Sequence, residues 1–175
     1  RFRNEVQAAA RLEHDHVVRV YDVDEVDGQS YYTMQYVDGD SLIDLLRDGP
    51  LEAEDAVRYV RQAAEGLAAA HAIGVLHRDL KPHNVMIDRV TNRAMLTDFG
   101  LAKLDDGDAE LTAANIGAGS PPWMAPEQFE DFRNVTVSAD VYGLGATLYH
   151  ALTGIPPFQA STPAATQALV QNRGK

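Results

Sequence analysis

Between two apolar runs the sequence reads VLHRDLKPHNVMI, Val75–Ile87, and the eight residues His77–Asn84 hold two histidines, an arginine, an aspartate, a lysine and an asparagine. A carboxylate (Asp79), an ammonium (Lys81) and a carboxamide (Asn84) so close together are costly beside a core unless they have partners or a task. Two short motifs follow, Asp98-Phe99-Gly100 and Ala125-Pro126-Glu127. Singly each says little: an Asp-Phe-Gly triplet is commonly a turn, and His-Arg-Asp a salt-bridged loop. The chain has no cysteine, which excludes thiolate metal sites and disulfides. Its histidines, His71 and His83 included, show no metal-ligand spacing, so zinc is not implied.

The elements that must carry these groups are legible from periodicity. A helix is predicted from Glu52 to Ile73, with Glu52, Glu54 and Asp55 in its first turn, where the helix dipole favours negative charge. Val57, Val60, Ala64, Leu67 and His71 repeat along one face, and Gly74 stops it. Two short strands are expected at Val85–Ile87 and Ala94–Leu96. Upstream, HVVRVYDV and SYYTMQYV read as antiparallel strands joined by the turn-rich DEVDGQ. A short helix follows at Ser41–Leu46, capped by Asp40 or Ser41. Residues 1–12 place Phe2, Val6, Ala9 and Ala10 at helical spacing. Asp98–Glu127 has almost no periodicity and reads as a long loop bounded by motifs, which favours a functional segment. A last strong helix is predicted over Ala139–Leu152.

With 175 residues and 45% hydrophobic content the chain can bury a core. A net charge of −11 argues against nucleic-acid binding through a basic surface. No run approaches the roughly 18 apolar residues of a membrane span, and no signal peptide is visible, so a cytoplasmic segment is expected, its parent free to be membrane-anchored elsewhere. The chain opens at RFRNEV without an initiator Met and closes at QNRGK after an apparent helix, and both ends are read as cuts.

HRDLKPHN, DFG and APE, in this order and with a helix before the first and a hairpin between the first two, resemble the protein kinase superfamily over essentially the whole chain. The resemblance implies an α+β, bilobal fold truncated at both ends. Residues 1–36 would form part of the N-lobe, with helix C and the last two strands; residues 37–175 would form part of the C-lobe, from the hinge to just beyond helix F. It also implies roles. Asp79 orients the acceptor hydroxyl or takes its proton, and Lys81 lies beside the transferring phosphate. Asn84 and Asp98 hold Mg2+, with Mn2+ as an alternative; few, hard oxygen ligands suit an ion that keeps water and phosphate for its other positions. Glu5 matches the helix-C glutamate. Met34 in TMQYVDG becomes the gatekeeper, the backbone of Gln35, Tyr36 and Val37 faces the adenine of ATP, and Met86 forms the floor beneath it. His77 and Phe99 are packing residues, and Asp140 braces the catalytic loop through backbone amides.

Lys81, two places after Asp79, follows the serine/threonine pattern, whereas tyrosine kinases usually carry AAR or RAA there. GSPPWMAPE is similar to the serine/threonine peptide-positioning segment, with Ser120 in place of the usual threonine and able to bond Asp79 and Lys81. Pro122 and Trp123 depart from the pattern and bear on substrate preference. The texture resembles bacterial serine/threonine kinases of signal transduction. Arg78 before the catalytic aspartate goes with switching by activation-loop phosphorylation, and Thr112 is then the expected site. Protein substrates and ATP are the implied partners, with dimerisation for autophosphorylation.

The glycine-rich loop and strand lysine of the family would precede Arg1, so this segment alone is expected to be inactive. Two other readings remain. A pseudokinase scaffold is weighed against by the retention of Asp79, Asn84 and Asp98, and a small-molecule phosphotransferase by the APE segment.

Overall fold

The computed structural model describes residues 12–26, 29–99, 120–132 and 134–173. The predicted first helix with Glu5, Gly100 and the expected regulatory Thr112 lie outside these residues. Strands β1 (Val20–Val26) and β2 (Gln29–Met34) pair antiparallel as a two-stranded ribbon, with Val23 opposite Tyr32 and a register irregularity between Val20 and Asp22. Both strands lie nearer the turn than the sequence pattern implied: Asp24–Val26 and Gln29, assigned to the connecting loop, are paired strand. The ribbon is largely exposed, so acidic side chains at Asp22, Asp24 and Glu25 remain in water and do not oppose pairing. The apolar run before it goes elsewhere. Val17 and Val18 are buried, and Val18 N–H donates to Leu96 O at 2.8 Å while Leu96 N–H donates to His16 O at 2.9 Å.

The second sheet is three-stranded: β3 (Gly39–Ser41), β4 (Val85–Asp88) and β5 (Ala94–Leu96), in that order, with Ser41 opposite Met86 and Met86 opposite Met95. Ser41 caps helix α1 (Leu42–Leu45): its hydroxyl accepts from Asp44 N–H, and the Asp44 carboxylate accepts from Ser41 N–H at 3.2 Å. Helix α2 (Ala53–Ala72) packs against β5 and against helix α3 (Val137–Thr153). Its buried face is Ala56, Tyr59, Val60, Ala63, Gly66, Leu67 and Ala70, one position out of phase with the predicted Val57 and Ala64. Val57 is 52% exposed, because a stripe of alanine and glycine lets the helix approach its neighbours more closely than a stripe centred on valine would. Gly74, at φ 78°, ends α2 as its position implied. Helix α4 (Pro163–Arg173) closes the described chain, and no described helix is long and apolar enough to cross a membrane.

Leu42, Leu67, Val75, Leu80, Val85, Ile87, Leu96 and Phe99 belong to one buried cluster, so the segment rich in polar groups is anchored in the main core at Val75, Leu80 and Val85. A Cβ at Gly143 of α3 would stand 2.9 Å from Leu80 O, so glycine is what allows α3 to lie against this loop.

Candidate active site

Leaving α2, the chain enters the core at Val75 and presents His77 with no solvent exposure. The His77 ring bridges two backbones: Nε2 faces Thr97 O at 3.0 Å and Nδ1 accepts from Asp79 N–H at 3.3 Å. A carbonyl accepts and an amide donates, so the partners fix the neutral tautomer with its proton on Nε2. Burial holds the His77 pKa below the ordinary histidine value. Phe99 packs on it with ring centroids 4.7 Å apart and planes tilted by 33°. Both residues pack, as expected.

Arg78 is 8% exposed and takes a left-handed backbone, φ 62°. A non-glycine residue holds that conformation where its surroundings over-determine it. Here its N–H donates to Asp140 Oδ1 at 2.7 Å and its carbonyl accepts from Gln128 Nε2 at 2.8 Å. Gln128 Oε1 in turn accepts from Ala125 N–H at 2.9 Å, which ties the APE segment to the loop. Asp140, in the first turn of α3 and 1% exposed, also accepts at Oδ2 from His77 N–H at 2.9 Å and faces His71 Nε2 at 2.8 Å. The carboxylate thus joins α2, α3 and the loop.

On this frame the polar groups converge. Lys81 Nζ lies 2.9 Å from Asp79 Oδ2 and 2.6 Å from Ser120 Oγ, so the ammonium joins the loop to the segment carrying Pro122 and Trp123. Asn84, 5% exposed in a 3-10 turn (Pro82–Asn84), donates through Nδ2 to Asp79 O at 2.8 Å, which leaves Oδ1 as the atom it could offer a cation. Asp98 is exposed and left-handed, φ 52°. Thr97 N–H on Asn84 O at 3.1 Å and the Phe99–His77 ring contact fix the chain on either side of it. Tyr32 Oη donates to Asp98 Oδ1 at 2.7 Å. Burial, then the hydrogen bond and the charge of Asp98, push the Tyr32 phenol up to about 12. Asn84 and Asp98 offer oxygen atoms and no sulfur or imidazole, a donor set that fits a hard divalent cation.

The residues expected to face a nucleotide base divide. Met86 and Val37 join Val18 and Met95 in one apolar cluster. Met34 is 44% exposed, with its sulfur 3.7 Å from Thr97 Oγ1, Tyr36 is 86% exposed, and Gln35 N–H donates to Arg19 O at 2.8 Å. Beside the loop, His83 meets Trp123 edge-on at 5.6 Å, and Trp123 stacks on His150 at 5.7 Å. A cavity of about 440 Å³ is lined by Gln35 and Met95 together with Glu13, Asp15, Arg19 and Arg93, and by none of Asp79, Lys81, Asn84 or Asp98.

Three participants were not identified by sequence reading: Tyr32, His71 as a partner of Asp140, and Gln128. Tyr32 had one usable signal, since strand alternation puts it on the same face as Met34.

Comparison with known proteins agrees with this geometry. The protein kinase domain family matches residues 1–173. Serine/threonine-protein kinase PknH of Mycobacterium bovis is 43% identical over 163 residues, 93% of this chain and 27% of that protein. Serine/threonine-protein kinase PknF of Mycobacterium tuberculosis is 42% identical over 170 residues, 94% of this chain and 36% of that protein. The chain therefore spans about a quarter to a third of these relatives. Among solved structures, Rad53 1-466 in complex with AMP-PNP superposes with a TM-score of 0.80 at 26% identity, covering 99% of this chain and 43% of that one.

Proposed function

Since the chain belongs to the protein kinase domain family, we propose that it transfers the γ-phosphoryl group of ATP to serine and threonine hydroxyls of proteins, with residues 1–36 contributing to the N-lobe and 37–175 to the C-lobe. The observation that carries this reading is the Lys81 bridge: groups from the catalytic loop and the peptide-positioning segment, remote in sequence, meet at Asp79, Lys81 and Ser120 within hydrogen-bonding distance. Asp79 orients the acceptor hydroxyl. The hydroxyl oxygen bonds to the γ-phosphorus as the bond to the β–γ bridging oxygen breaks, ADP leaves with that electron pair, and the hydroxyl proton passes to the Asp79 carboxylate. Lys81 stabilises charge on the group in transit, and its bond to Ser120 couples the aspartate to the segment against which an acceptor peptide lies. Asn84 and Asp98 are the residues to hold Mg2+ or Mn2+, which when bound neutralises charge on the nucleotide phosphates. Val37 and Met86 provide the apolar surface for the adenine, and the backbone from Gln35 to Val37 its hydrogen-bonding edge. Glu5 and Thr112 keep their roles in this proposal, the one as the helix-C glutamate that pairs with the strand lysine, the other as a regulatory phosphorylation site whose phosphate would suit the Arg78 guanidinium.

The test is phosphate transfer from γ-labelled ATP by the full-length protein to a generic protein substrate, beside Asp98→Asn. Asp98 is exposed, so the variant is expected to keep its melting temperature while transfer falls by roughly 100-fold or more. Equal transfer by both proteins overturns the reading in favour of a scaffold. Label found only on small molecules overturns the protein acceptor.

A further inference from the structure

Tyr32, from the β1–β2 ribbon, donates a hydrogen bond to Asp98 of the proposed catalytic set. Tyr32 and Met34 are two apart in β2 and so share a face. That face meets two consecutive residues after β5, Met34 at Thr97 and Tyr32 at Asp98. The contact is thus a small docked surface with a defined register. Asp98 is itself held by its neighbours on the chain, so the phenol approaches a carboxylate whose backbone has little freedom.

We propose that Tyr32 is a positioning residue for Asp98: its hydroxyl occupies Oδ1 and fixes the carboxylate so that it offers the cation a single oxygen. This rests on the reading of Asp98 as a metal-holding residue. The distinction matters because Mg2+ demands near-octahedral geometry and short bonds, which one carboxylate oxygen satisfies, whereas Ca2+ accepts both oxygens of a carboxylate in a larger, looser shell. A phenol on Oδ1 therefore favours the smaller ion.

Three variants of the full-length protein separate the possibilities: Tyr32→Phe, Asp98→Asn, and Tyr31→Phe, whose side chain points to the other face of β2. The readout is binding of Mn2+ in the presence of ADP, followed by electron paramagnetic resonance, with Mg2+ and Ca2+ as competitors. Tyr32→Phe is expected to weaken Mn2+ binding roughly 3- to 10-fold, the net scale of one ordinary hydrogen bond. Ca2+ should compete better relative to Mg2+ than in the parent, while the melting temperature and metal-free ADP binding stay as they were. Tyr31→Phe should match the parent. Unchanged Mn2+ binding in Tyr32→Phe overturns the inference, as does tighter binding, which would make the phenol a competitor of the metal. An equal loss in Tyr31→Phe also overturns it, by showing a general effect on the ribbon. If Asp98→Asn binds Mn2+ like the parent, it is the metal-site reading that fails, and the role of Tyr32 falls with it.

Discussion

The catalytic loop and the β1–β2 ribbon show two ways of holding functional groups. In the loop, each backbone polar group of Arg78 has a side-chain partner from a different element, and His77 ties Asp79 to Thr97 across the core. On the ribbon, Tyr21 is 62% exposed, Val26 56% and Met34 44%, and among the described residues the side-chain hydrogen bonds that dock it on the chain after β5 are those of Met34 with Thr97 and Tyr32 with Asp98. The groups proposed to carry phosphate transfer are cross-braced by buried polar contacts, as a site that demands precise positions requires. The surface expected to admit a nucleotide is joined by few bonds, which leaves it free to adjust around a ligand.

The sharpest way to break this contrast is at the bracing carboxylate. Asp140→Ala removes the acceptor for two backbone amides and the partner of His71, all within the core. A loss of roughly 3–5 kcal/mol in urea unfolding is expected, together with loss of phosphate transfer; a loss below 1 kcal/mol would mean that the loop is not braced there. Gly143→Ala tests the same loop from the side of α3. The new methyl meets Leu80 O at 2.9 Å and Leu80 Cβ at 3.1 Å, so roughly 1–3 kcal/mol of overpacking should outweigh a gain of up to about 1 kcal/mol in helix propensity.

Acid should weaken the loop side through its histidines. The fold depresses the pKa of His77 chiefly by burial, and does the same to His83 and His150. Below about pH 6.5 the unfolded chain therefore binds protons that the folded chain refuses. Thermal stability should be level above that pH and decline as pH falls toward the lowered folded values. Asp44 and Asp88, also depressed, add their losses only below their ordinary value of 3.8. A melting temperature flat from pH 7 to 5 would show that His77 is not held neutral. The ribbon gives the smallest effect: Tyr21→Ser should change stability by no more than about 0.5 kcal/mol, and a larger loss would mean the ribbon is better anchored than its exposure implies.

Asp79, Lys81, Asn84, Asp98 and Ser120 were singled out by the resemblance of HRDLKPHN, DFG and GSPPWMAPE to the kinase motifs, and the structure brings Asp79, Lys81, Asn84 and Ser120 within hydrogen-bonding reach of one another. The expected links of Ser120 to Lys81, of His77 to Phe99 and of Asp140 to the loop amides are all present. Contacts set by how separate elements dock were not legible. Tyr32 reaches Asp98 across 66 residues and Gln128 reaches Arg78 across 50, and neither pair leaves a local pattern. The ends of β1 and β2 were misplaced because hydrophobicity marks burial, and this ribbon is mostly in water. On α2 the expected Val60 and Leu67 are buried, whereas Val57 and Ala64 give way to Ala56 and Ala63, because alanine and glycine carry much of the packing while contributing little to an apolar pattern.

The two oxygens of Asp140 answer three donors of fixed position, two of them amides that no rotamer change can move. Asparagine would turn an NH2 toward at least one of those donors, and glutamate would add a methylene where the aspartate is 1% exposed. Neither neighbour in chemistry is a neighbour in fitness. Position 140 therefore has almost no drift available to it, whereas the water-facing positions of β1 can change letter after letter without the loop registering the difference.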